Sequence, residues 1–352
     1  MKIATIIGAR PQFIKAAPIS KKMKSNYSSS LSEIIIHTGQ HFDKNMSNIF
    51  FNEMNIPNPN YNLHINQMVY GEMLEKMICK IKPILQKHDV DGVLVYGDTN
   101  STLAGSISAA QFDIPIFHVE AGLRSYNRFM HEENNRIITD HLSTLLFCPT
   151  ENAVKNLKKE KIINGVIQSG DVMFDAYRIF SLYKNNIKTF TENSKYILAT
   201  IHRRENIDSF KKLSEIFFNF DKINDEQKII MPLHPHTKKK INEYGIKSKI
   251  MFIEPLGYLS MLHLLKKCSM VITDSGGLQK ESFFAKKKCL IIRKQTEWVE
   301  LIHNKANILC STKNIFHQYR KIINYKYDFS GNPFGSGDAA KIIIDSIIKN
   351  LS

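Results

Sequence analysis

The chain of 352 residues has no uninterrupted apolar run of the length that a membrane span requires. It begins with Met1–Gly8, which reads as the start of a strand, and it lacks the long apolar region and the cleavage site of a signal peptide. Its five cysteines are scattered without a Cys-x-x-Cys pair, and Cys148, Cys289 and Cys310 fall in or at the end of apolar, strand-like runs. Buried thiols are typical of a reducing compartment, so we expect a cytoplasmic protein.

Three common fingerprints are also missing. The first predicted strand ends in Gly8–Pro11, Gly-Ala-Arg-Pro, which is not the Gly-x-Gly-x-x-Gly of a standard dinucleotide site. His234 and His236 lie close together, but no third ligand at a familiar spacing accompanies them, so we expect no metal. No basic segment interleaved with aromatics, as in nucleic-acid-binding modules, occurs.

The net charge of +15 has two interpretations. It could mark binding to nucleic acid or to an anionic substrate. Many lysines, however, fall in polar, surface-like runs such as residues 238–240 and 286–288. We therefore expect solvated lysine faces, and neither a nucleic acid nor a membrane as partner.

Apolar strands alternate with helices twice along the chain. Predicted strands are Lys2–Ile7, Glu33–His37, Gly92–Tyr96, Ile114–His118 and Leu145–Cys148, then Tyr196–Thr200, Lys228–Pro232, Ile250–Ile253, Met270–Thr273 and Cys289–Ile292. Predicted helices are Pro11–Met23, Lys44–Met54, Tyr70–Lys87, Ser101–Gln111, Glu132–His141 and Glu151–Lys159, then Ser209–Phe220, Thr237–Tyr244, Leu259–Lys266 and Leu278–Ala285. This alternation predicts parallel sheets covered on both faces.

The fold class is therefore α/β, with two doubly wound, Rossmann-like domains that face a cleft. We predict a first domain at residues 1–170 that carries the acid/base residues, and a second at residues 171–337. We also predict a last helix, Asp338–Asn350. The sequence does not decide whether residues 338–352 pack back on the first domain.

The segment Asp274–Glu281, Asp-Ser-Gly-Gly-Leu-Gln-Lys-Glu, is the strongest single signal. It follows an apolar strand, and its turn leads through Ser275, Gly276 and Gly277 into a helix. Free backbone N–H groups and the positive end of a helix dipole favour a phosphate there, and Glu281 could reach a ribose hydroxyl. The alternative is a tight turn without a ligand.

Three acids come at or after strand ends of the first half. Asp98 follows a strand directly and could be a helix N-cap instead. Glu120 ends an apolar strand, where a carboxylate is costly unless it is paired or functional. Glu132 and Arg136 share a helix face, so an ordinary surface ion pair is the alternative. Together the three acids could supply an acid and a base for proton transfer.

Cations complete the predicted site. Arg10 and Lys15 lie near the N-terminal end of the first helix, a place for anion contacts, although a surface cation pair is an equal alternative. His202 and Arg203 follow the first strand of the second half, and arginine matches a diphosphate with two parallel hydrogen bonds.

Taken together, these residues resemble the non-hydrolysing UDP-N-acetylglucosamine 2-epimerase family. The resemblance extends from residue 8 to Asn332–Ala339. Its blocks are residues 8–15 (Gly-Ala-Arg-Pro-Gln-Phe-Ile-Lys), 96–102 (Tyr-Gly-Asp-Thr-Asn-Ser-Thr), 118–124 (His-Val-Glu-Ala-Gly-Leu-Arg), 132–136 (Glu-Glu-Asn-Asn-Arg), 202–206 (His-Arg-Arg-Glu-Asn) and 274–281.

The resemblance implies a fold like that of the B-type glycosyltransferases and inversion at C2 of a UDP-2-acetamido sugar, through loss and return of UDP. It implies no cofactor, a homodimer, and a place in bacterial surface polysaccharide synthesis. The implied catalytic residues are Asp98, Glu120, Glu132 and His202. The implied substrate-binding and UDP-binding residues are Arg10, Lys15, Arg136, Arg203, His234, Ser275, Gly276, Gly277 and Glu281.

Several positions depart from the commonest form of the family. His131 replaces a frequent Pro, and Met261 replaces a frequent aromatic residue. Residues 12–14 (Gln-Phe-Ile), 37–43 (His-Thr-Gly-Gln-His-Phe-Asp) and 295–301 (Gln-Thr-Glu-Trp-Val-Glu-Leu) are more similar to the branch that acts on UDP-2,3-diacetamido-2,3-dideoxyglucuronate. The sugar stays open between this uronate and N-acetylglucosamine. A hydrolysing epimerase and a B-type glycosyltransferase are the alternative functions.

Overall fold

The computed structural model describes residues 1–40, 53–54, 56–66, 68–183, 195–303, 307–327, 329 and 331–352. These residues form two compact units: the first unit comprises Met1–Phe180 and Asn332–Ser352, and the second unit comprises Ser181–Gly331. The predicted helix Lys44–Met54 lies outside the described residues except for 53 and 54, which are helical.

The first unit contains a sheet of seven parallel strands in the order β3-β2-β1-β4-β5-β6-β7. The strands are β1 (Lys2–Ile7), β2 (Ser32–His37), β3 (Tyr61–Asn62), β4 (Gly92–Tyr96), β5 (Ile116–Val119), β6 (Leu145–Cys148) and β7 (Val166–Gln168). The helices between them are α1 (Arg10–Asn26), α2 (Tyr70–His88), α3 (Asn100–Ala110), α4 (His131–Leu142), α5 (Glu151–Lys159) and α6 (Val172–Phe180). Strands whose residues are all apolar can be buried on both faces, which a parallel sheet requires.

The second unit repeats this plan with six parallel strands in the order β10-β9-β8-β11-β12-β13. The strands are β8 (Ile197–Thr200), β9 (Ile229–Pro232), β10 (Met251–Ile253), β11 (Met270–Thr273), β12 (Lys288–Ile292) and β13 (Asn307–Cys310). The helices are α7 (Arg204–Ile207), α8 (Phe210–Asn224), α9 (Pro235–Glu243), α10 (Tyr258–Lys267), α11 (Gly276–Phe284), α12 (Val299–His303) and α13 (Ile315–Ile323). The predicted α/β class with two doubly wound parallel sheets is confirmed.

Each sheet has one point at which its strand order reverses. In the first unit this point lies between β1 and β4, and in the second unit between β8 and β11. Open α/β sheets bind ligands outside the carboxyl ends of the strands at such a point, because the following loops diverge to opposite faces. The segments that follow β4 and β11 therefore occupy the natural ligand position of each unit.

The last helix, α14 (Ala339–Leu351), belongs to the first unit and packs against α1 and α6. The Asp175 carboxylate of α6 accepts hydrogen bonds from the backbone N–H groups of Ala339 and Ala340, at 3.2 and 2.8 Å. Asp175 thereby satisfies two free donors at the start of α14. The first unit continues through α6 to Phe180, whereas the predicted first domain ended at residue 170.

Asp175 makes the stability of the protein depend on pH. Burial raises the pKa of Asp175 from 3.8 to about 6, although the two backbone hydrogen bonds oppose this shift. Because the native state then holds the proton more tightly than the unfolded chain does, stability is lost as pH rises through about 6. We expect wild type to lose about 1 kcal/mol more than Asp175→Asn between pH 5 and pH 7. Urea unfolding at both pH values measures this difference, and equal losses would contradict it.

None of the helices within the described ranges combines the length and the apolar character that crossing a bilayer requires.

Candidate active site

Two carboxylates of the first unit share one guanidinium. Arg136 on α4 places Nη2 2.7 Å from Asp98 Oδ2 and 3.5 Å from Glu120 Oε1. Lys15 on α1 brings Nζ to 2.6 Å from the same Glu120 oxygen. Lys15, Glu120 and Arg136 are all buried. The cost of burying Glu120 is thus offset by two cations, and two carboxylates come to one place at the reversal point of the sheet.

Backbone geometry at the ends of β4 and β5 directs these side chains. Glu120 adopts φ +70°, a left-handed conformation that costs a non-glycine residue about 1–3 kcal/mol. Its N–H donates to the carbonyl oxygen of Phe147 at 3.1 Å, which holds the turn. At Gly97, φ is +66°, and a Cβ there would lie 3.2 Å from Lys15 Nζ and 3.4 Å from Glu120 Oε1. The left-handed backbone therefore favours glycine at this position, and a Cβ would in addition crowd the Lys15 ammonium group.

Asp98 is not the N-cap of the following helix. That position belongs to Thr99, whose hydroxyl accepts from the N–H of Thr102 at 3.3 Å. The Asp98 carboxylate is therefore available to Arg136, and its side chain keeps 27% exposure. Burial raises the pKa of Asp98, and the charges of Glu120 and Glu132 add to this, while Arg136 and Lys15 oppose it. A raised pKa makes this carboxylate a better proton acceptor than an ordinary aspartate.

The other predicted residues of the first unit are Glu132 and Arg10. Glu132 is exposed in the first turn of α4, close enough for its charge to act on Asp98. Arg10 is half-buried at the first residue of α1. Asn135, which the sequence did not single out, donates to the Asp98 carbonyl oxygen at 3.0 Å and accepts from the Tyr70 hydroxyl at 2.6 Å. It fixes the backbone of the Asp98 turn.

Glu132 and Glu133 are neighbours with different environments. The buried Glu133 carboxylate accepts from Ser125 N–H, the Ser125 hydroxyl and Tyr126 N–H, at 2.8, 2.8 and 2.9 Å. We expect Glu133→Gln to lower the free energy of unfolding by about 1.5–3 kcal/mol, because hydrogen bonds to a charged acceptor are lost. Glu132→Gln loses only an exposed helix-terminal charge, about 0.3–1 kcal/mol. Urea denaturation of the matched pair checks this order, and an equal loss would contradict it.

A second set of polar and charged residues links the acid-bearing turns. His118 in β5 is fully buried, with Nδ1 2.7 Å from Asp140 Oδ1 and Nε2 2.8 Å from the carbonyl oxygen of Gly97. Asp140 Oδ2 also contacts Arg124 Nη1 at 2.7 Å and accepts from Gly122 N–H at 3.2 Å. The sequence did not single out His118, although a polar residue inside the otherwise apolar strand Ile116–Val119 is a signal that could have pointed to this network.

In the second unit, the loop after β11 leads directly into α11. The Ser275 hydroxyl accepts from Leu278 N–H at 3.3 Å and caps the helix, so α11 starts at Gly276 rather than at the predicted Leu278. A Cβ on Gly276 would meet its nearest neighbours only at 3.8–3.9 Å. Ser275, Gly276 and Gly277 are half-exposed, so the first N–H groups of α11 are accessible to an anion.

The fully buried Asp274 attaches the loop after β8 to the start of α11. Its carboxylate accepts from the N–H groups of His202 and Arg203, with the shortest distances 3.1 and 2.9 Å, and from the Asn206 amide at 3.0 Å. His202 Nδ1 lies 3.5 Å from the same carboxylate, and its ring stays 40% exposed. Asp274 thus places the predicted His202 and Arg203 next to the predicted phosphate position.

Two arginines surround one carboxylate near Gly276. Arg293 Nη1 contacts Glu297 Oε2 at 2.8 Å, and Arg203 Nη2 lies 3.8 Å from Glu297 Oε1. Burial raises the pKa of Glu297, but Arg293 and Arg203 outweigh it and the pKa is lowered overall. Arg293, which the sequence did not single out, brings Nη1 to 3.9 Å from where a Gly276 Cβ would be. It adds positive charge beside the α11 N-terminus.

The branch-specific residues have structural neighbours of their own. Gln12 accepts from the N–H groups of Gly8 and Ala9 at 2.8 and 3.0 Å and donates to the Tyr96 carbonyl oxygen at 3.0 Å, so it holds the β1 turn against β4. Trp298 lies under Lys280, whose Nζ is 3.8 Å from a ring centroid. Residues 41–43 of the third branch-specific segment lie outside the described residues.

Glu281 and the two histidines complete the second unit. Glu281 is buried in α11, near the end of its second turn. His234 is the N-cap of α9, where Nδ1 accepts from His236 N–H at 3.2 Å, and its ring centroid is 6.0 Å from that of His202. Across the part of the chain that the structure describes, no group of three or more His, Cys, Asp or Glu side chains is arranged to hold a metal ion.

Known proteins are similar to this chain along nearly its whole length. A model of the UDP-N-acetylglucosamine 2-epimerase family matches residues 23–348. A UDP-N-acetylglucosamine 2-epimerase homolog of Methanococcus maripaludis is 44% identical over 371 residues, covering 100% of both chains. The UDP-2,3-diacetamido-2,3-dideoxy-D-glucuronate 2-epimerase of Pseudomonas aeruginosa is 44% identical over 355 residues, covering 99% of this chain and 100% of the relative.

Solved structures have the same fold as this chain. The Methanocaldococcus jannaschii UDP-GlcNAc 2-epimerase, in complex with UDP-GlcNAc and UDP, matches with a TM-score of 0.91 at 38% identity, over 99% of this chain and 100% of that one. Acinetobacter baumannii MurG, at 11% identity over 99% of both chains, matches with a TM-score of 0.56 and shows the fold alone. The predicted glycosyltransferase-B-like fold class is confirmed.

The chain belongs to the UDP-N-acetylglucosamine 2-epimerase family. It is a non-hydrolysing 2-epimerase of UDP-2-acetamido sugars, as the sequence predicted, and both nucleotide sugars that the sequence left open occur among its relatives.

Proposed function

We propose that the enzyme interconverts the gluco and manno forms of its UDP-2-acetamido sugar by eliminating UDP and adding it back. The observation that carries this proposal is the acid pair of the first unit, in which Asp98 and Glu120 share Arg136. Inversion at a carbon that bears hydrogen needs one group to remove a proton and one to return it from the opposite face. Two adjacent carboxylates are the residue types for that task.

The chemistry explains why UDP must leave first. The C2–H bond of an acetamido sugar is a very weak acid, because no carbonyl is attached directly to C2. When the C1–O bond to the β-phosphate breaks, the ring gains oxocarbenium character and C2–H becomes acidic. A carboxylate then takes the proton, and the C–H electron pair forms the C1–C2 double bond of a glycal. Protonation of C2 from the other face and return of the β-phosphate oxygen to C1 give the epimer.

Within this proposal, Asp98, Glu120 and Glu132 are the acid/base set of the reaction. Lys15 and Arg136 hold the first two acids in place and stabilise their ionised forms. Burial raises the pKa of Asp98, which supports a role as a proton acceptor.

The second unit would hold UDP, the leaving group. The N-terminus of α11 offers the backbone N–H groups of Gly276 and Gly277 to the diphosphate, and Arg203 adds a guanidinium. Glu281 would accept from the ribose, His202 would be the catalytic residue of this unit, and His234 would contact the diphosphate or sugar. Arg10, of the first unit, is a further proposed substrate-binding residue. Bound cations and dipoles favour departure of UDP, because they stabilise the charge that develops on it.

We further propose the diacetamido uronate as the preferred sugar. Residues 12–14 and 295–301 support this choice, and so does the Pseudomonas relative at 44% identity. A cytoplasmic homodimer in surface polysaccharide synthesis completes the proposal. The four buried free thiols support a reducing compartment, and the partly exposed Ile138 and Leu142 on α4 are apolar surface that a second copy could cover.

Offering each nucleotide separately to the purified enzyme tests the proposal. Proton and phosphorus NMR should show conversion of the uronate to its 2-epimer at a higher kcat/KM than conversion of UDP-N-acetylglucosamine, with no build-up of free UDP. A preference for UDP-N-acetylglucosamine would overturn the proposed sugar. Free UDP with a reducing sugar would indicate a hydrolysing epimerase, and turnover only with an acceptor would indicate a glycosyltransferase.

A further inference from the structure

A chain of charged side chains runs through the first unit beside the acid-bearing turns. It starts at His118, continues through Asp140 and Arg124, and ends at Glu160. The Arg124–Glu160 contact is bidentate, with Nε and Nη2 each 2.7 Å from a carboxylate oxygen. The side chains of His118 and Asp140 have no exposed surface, and that of Arg124 has 1%. Interactions this deeply buried are barely weakened by solvent.

The hydrogen-bond partners of His118 determine which of its ring nitrogens carry a hydrogen. Nδ1 faces the Asp140 carboxylate at 2.7 Å, and Nε2 faces the Gly97 carbonyl oxygen at 2.8 Å. Both neighbours can only accept, so each ring nitrogen must carry a hydrogen, which is the imidazolium form. Although burial raises it, the pKa of Asp140 is lowered overall by His118 and Arg124, so Asp140 stays an acceptor. The cations His118 and Arg124 then balance the anions Asp140 and Glu160.

Both ends of the His118–Asp140 pair reach the turns that carry the reacting acids. Nε2–H donates to the carbonyl of Gly97, the residue directly before Asp98. Asp140 Oδ2 accepts from the N–H of Gly122, two residues after Glu120. The pair therefore joins the ends of β4 and β5 by side-chain hydrogen bonds, at the place where the backbone leaves the sheet.

We propose that His118 is a positioning residue that donates from both ring nitrogens and holds the Gly97–Asp98 turn in register with the Glu120 turn through its Nε2–H donor. The inference rests on the proposed role of Asp98 in proton transfer. His118 does not take part in the proton transfer itself, since both of its hydrogens are committed to buried acceptors.

Two matched variants separate the two hydrogen bonds of His118. Asn places its amide nitrogen where Nδ1 is, so His118→Asn keeps the donor to Asp140 and loses the one to Gly97. Gln reaches further, so His118→Gln keeps a donor at the Nε2 position and loses the one to Asp140. Both variants remove the buried cation and should be destabilised alike. Activity is expressed per UDP-binding site, titrated by calorimetry, so that unfolded protein is not counted.

For His118→Asn we expect kcat to fall by about 100-fold with KM unchanged, because a small displacement of a reacting group has that effect. His118→Gln should restore kcat to within about tenfold of wild type. Equal losses in both variants would overturn the inference in favour of a purely structural role. A wild-type rate in His118→Asn, with Asp98→Asn inactive, would overturn it while leaving the proposed function intact. Full activity of Asp98→Asn would overturn both the inference about His118 and the proposed function.

Nitrogen-15 NMR of the wild-type enzyme tests the protonation state without any assay. In protein labelled with ¹⁵N-histidine, the signals missing from His118→Gln belong to His118. We expect both of its ring nitrogens to show a one-bond coupling to hydrogen at neutral pH. One nitrogen without a hydrogen would contradict the imidazolium form and with it the proposed donor to Gly97.

Discussion

Asp98→Asn lowers kcat by about 1,000-fold and does not weaken the binding of UDP. The amide keeps the size of the side chain but can no longer accept a proton from C2 or return one. Folding should change little, because burial disfavours the ionised form of Asp98, which offsets the loss of its contact with Arg136, and Arg136 keeps Glu120 as a partner. Steady-state kinetics with the preferred nucleotide, calorimetric titration with UDP and thermal unfolding measure the three quantities separately.

Asp113→Asn is the matched control for this variant. Asp113 is an exposed residue of the same unit with φ +52°, a conformation that asparagine adopts readily. It should retain wild-type kcat, UDP affinity and stability. A wild-type kcat in Asp98→Asn would contradict the assignment of this residue, and a loss of UDP affinity would show that it acts in binding instead.

Gly276→Ala weakens UDP binding by about 10- to 100-fold while the fold gains stability. The glycine lies at the first position of α11 with an ordinary φ, and a Cβ has space there, 3.8–3.9 Å from its nearest neighbours. Alanine therefore suits the native backbone, and the unfolded chain loses freedom, which contributes about 0.4–1 kcal/mol. The same methyl group would keep the diphosphate from the backbone N–H groups, and each lost hydrogen bond to a charged oxygen costs about 1.5–3 kcal/mol.

Gly71→Ala provides the comparison. Gly71 also lies in the first turn of a helix, α2 of the first unit, and a Cβ there would meet nothing within 4 Å. Both variants should melt at or above the wild-type temperature, but only Gly276→Ala should bind UDP more weakly by calorimetry. Wild-type UDP affinity in Gly276→Ala would contradict the proposed position of the diphosphate at the start of α11.

Continuous apolar runs made much of the fold predictable. The strands Lys2–Ile7, Gly92–Tyr96, Leu145–Cys148 and Met270–Thr273, and the helix Glu151–Lys159, have the predicted bounds. Each of the four strands is entirely or almost entirely buried, so selection for an apolar interior marks its whole length.

Short and peripheral elements were not predicted. β7 has three residues at the edge of its sheet, and its outermost residue Gln168 is exposed, so no pattern distinguishes it from a loop. α13 was also missed. Its buried residues Ile315, Tyr319 and Ile322 follow helical spacing, but its many aromatic and β-branched residues favour a strand.

The acids of the candidate site were predictable one by one, but their partners were not. Asp98 and Glu120 follow buried strands, and parallel strands bring such positions to one edge. The pairing of Glu120 with Lys15, 105 residues earlier in the chain, depends on how α1 packs against the sheet, which local patterns do not contain. The left-handed backbone of Glu120 could not be predicted either. Glycine is the usual sequence signal for that conformation, and this position holds a glutamate.

Turnover in D₂O tests the central claim most directly. If carboxylates of the first unit remove and return the hydrogen at C2, exchange with solvent during the glycal stage places deuterium at C2 of the epimerised nucleotide. Proton NMR should then show the C2–H signal of the product disappear as product forms, while the other ring protons stay. Product that retains its hydrogen at C2 through complete conversion would contradict proton transfer with solvent exchange, and with it the roles given to Asp98, Glu120 and Glu132.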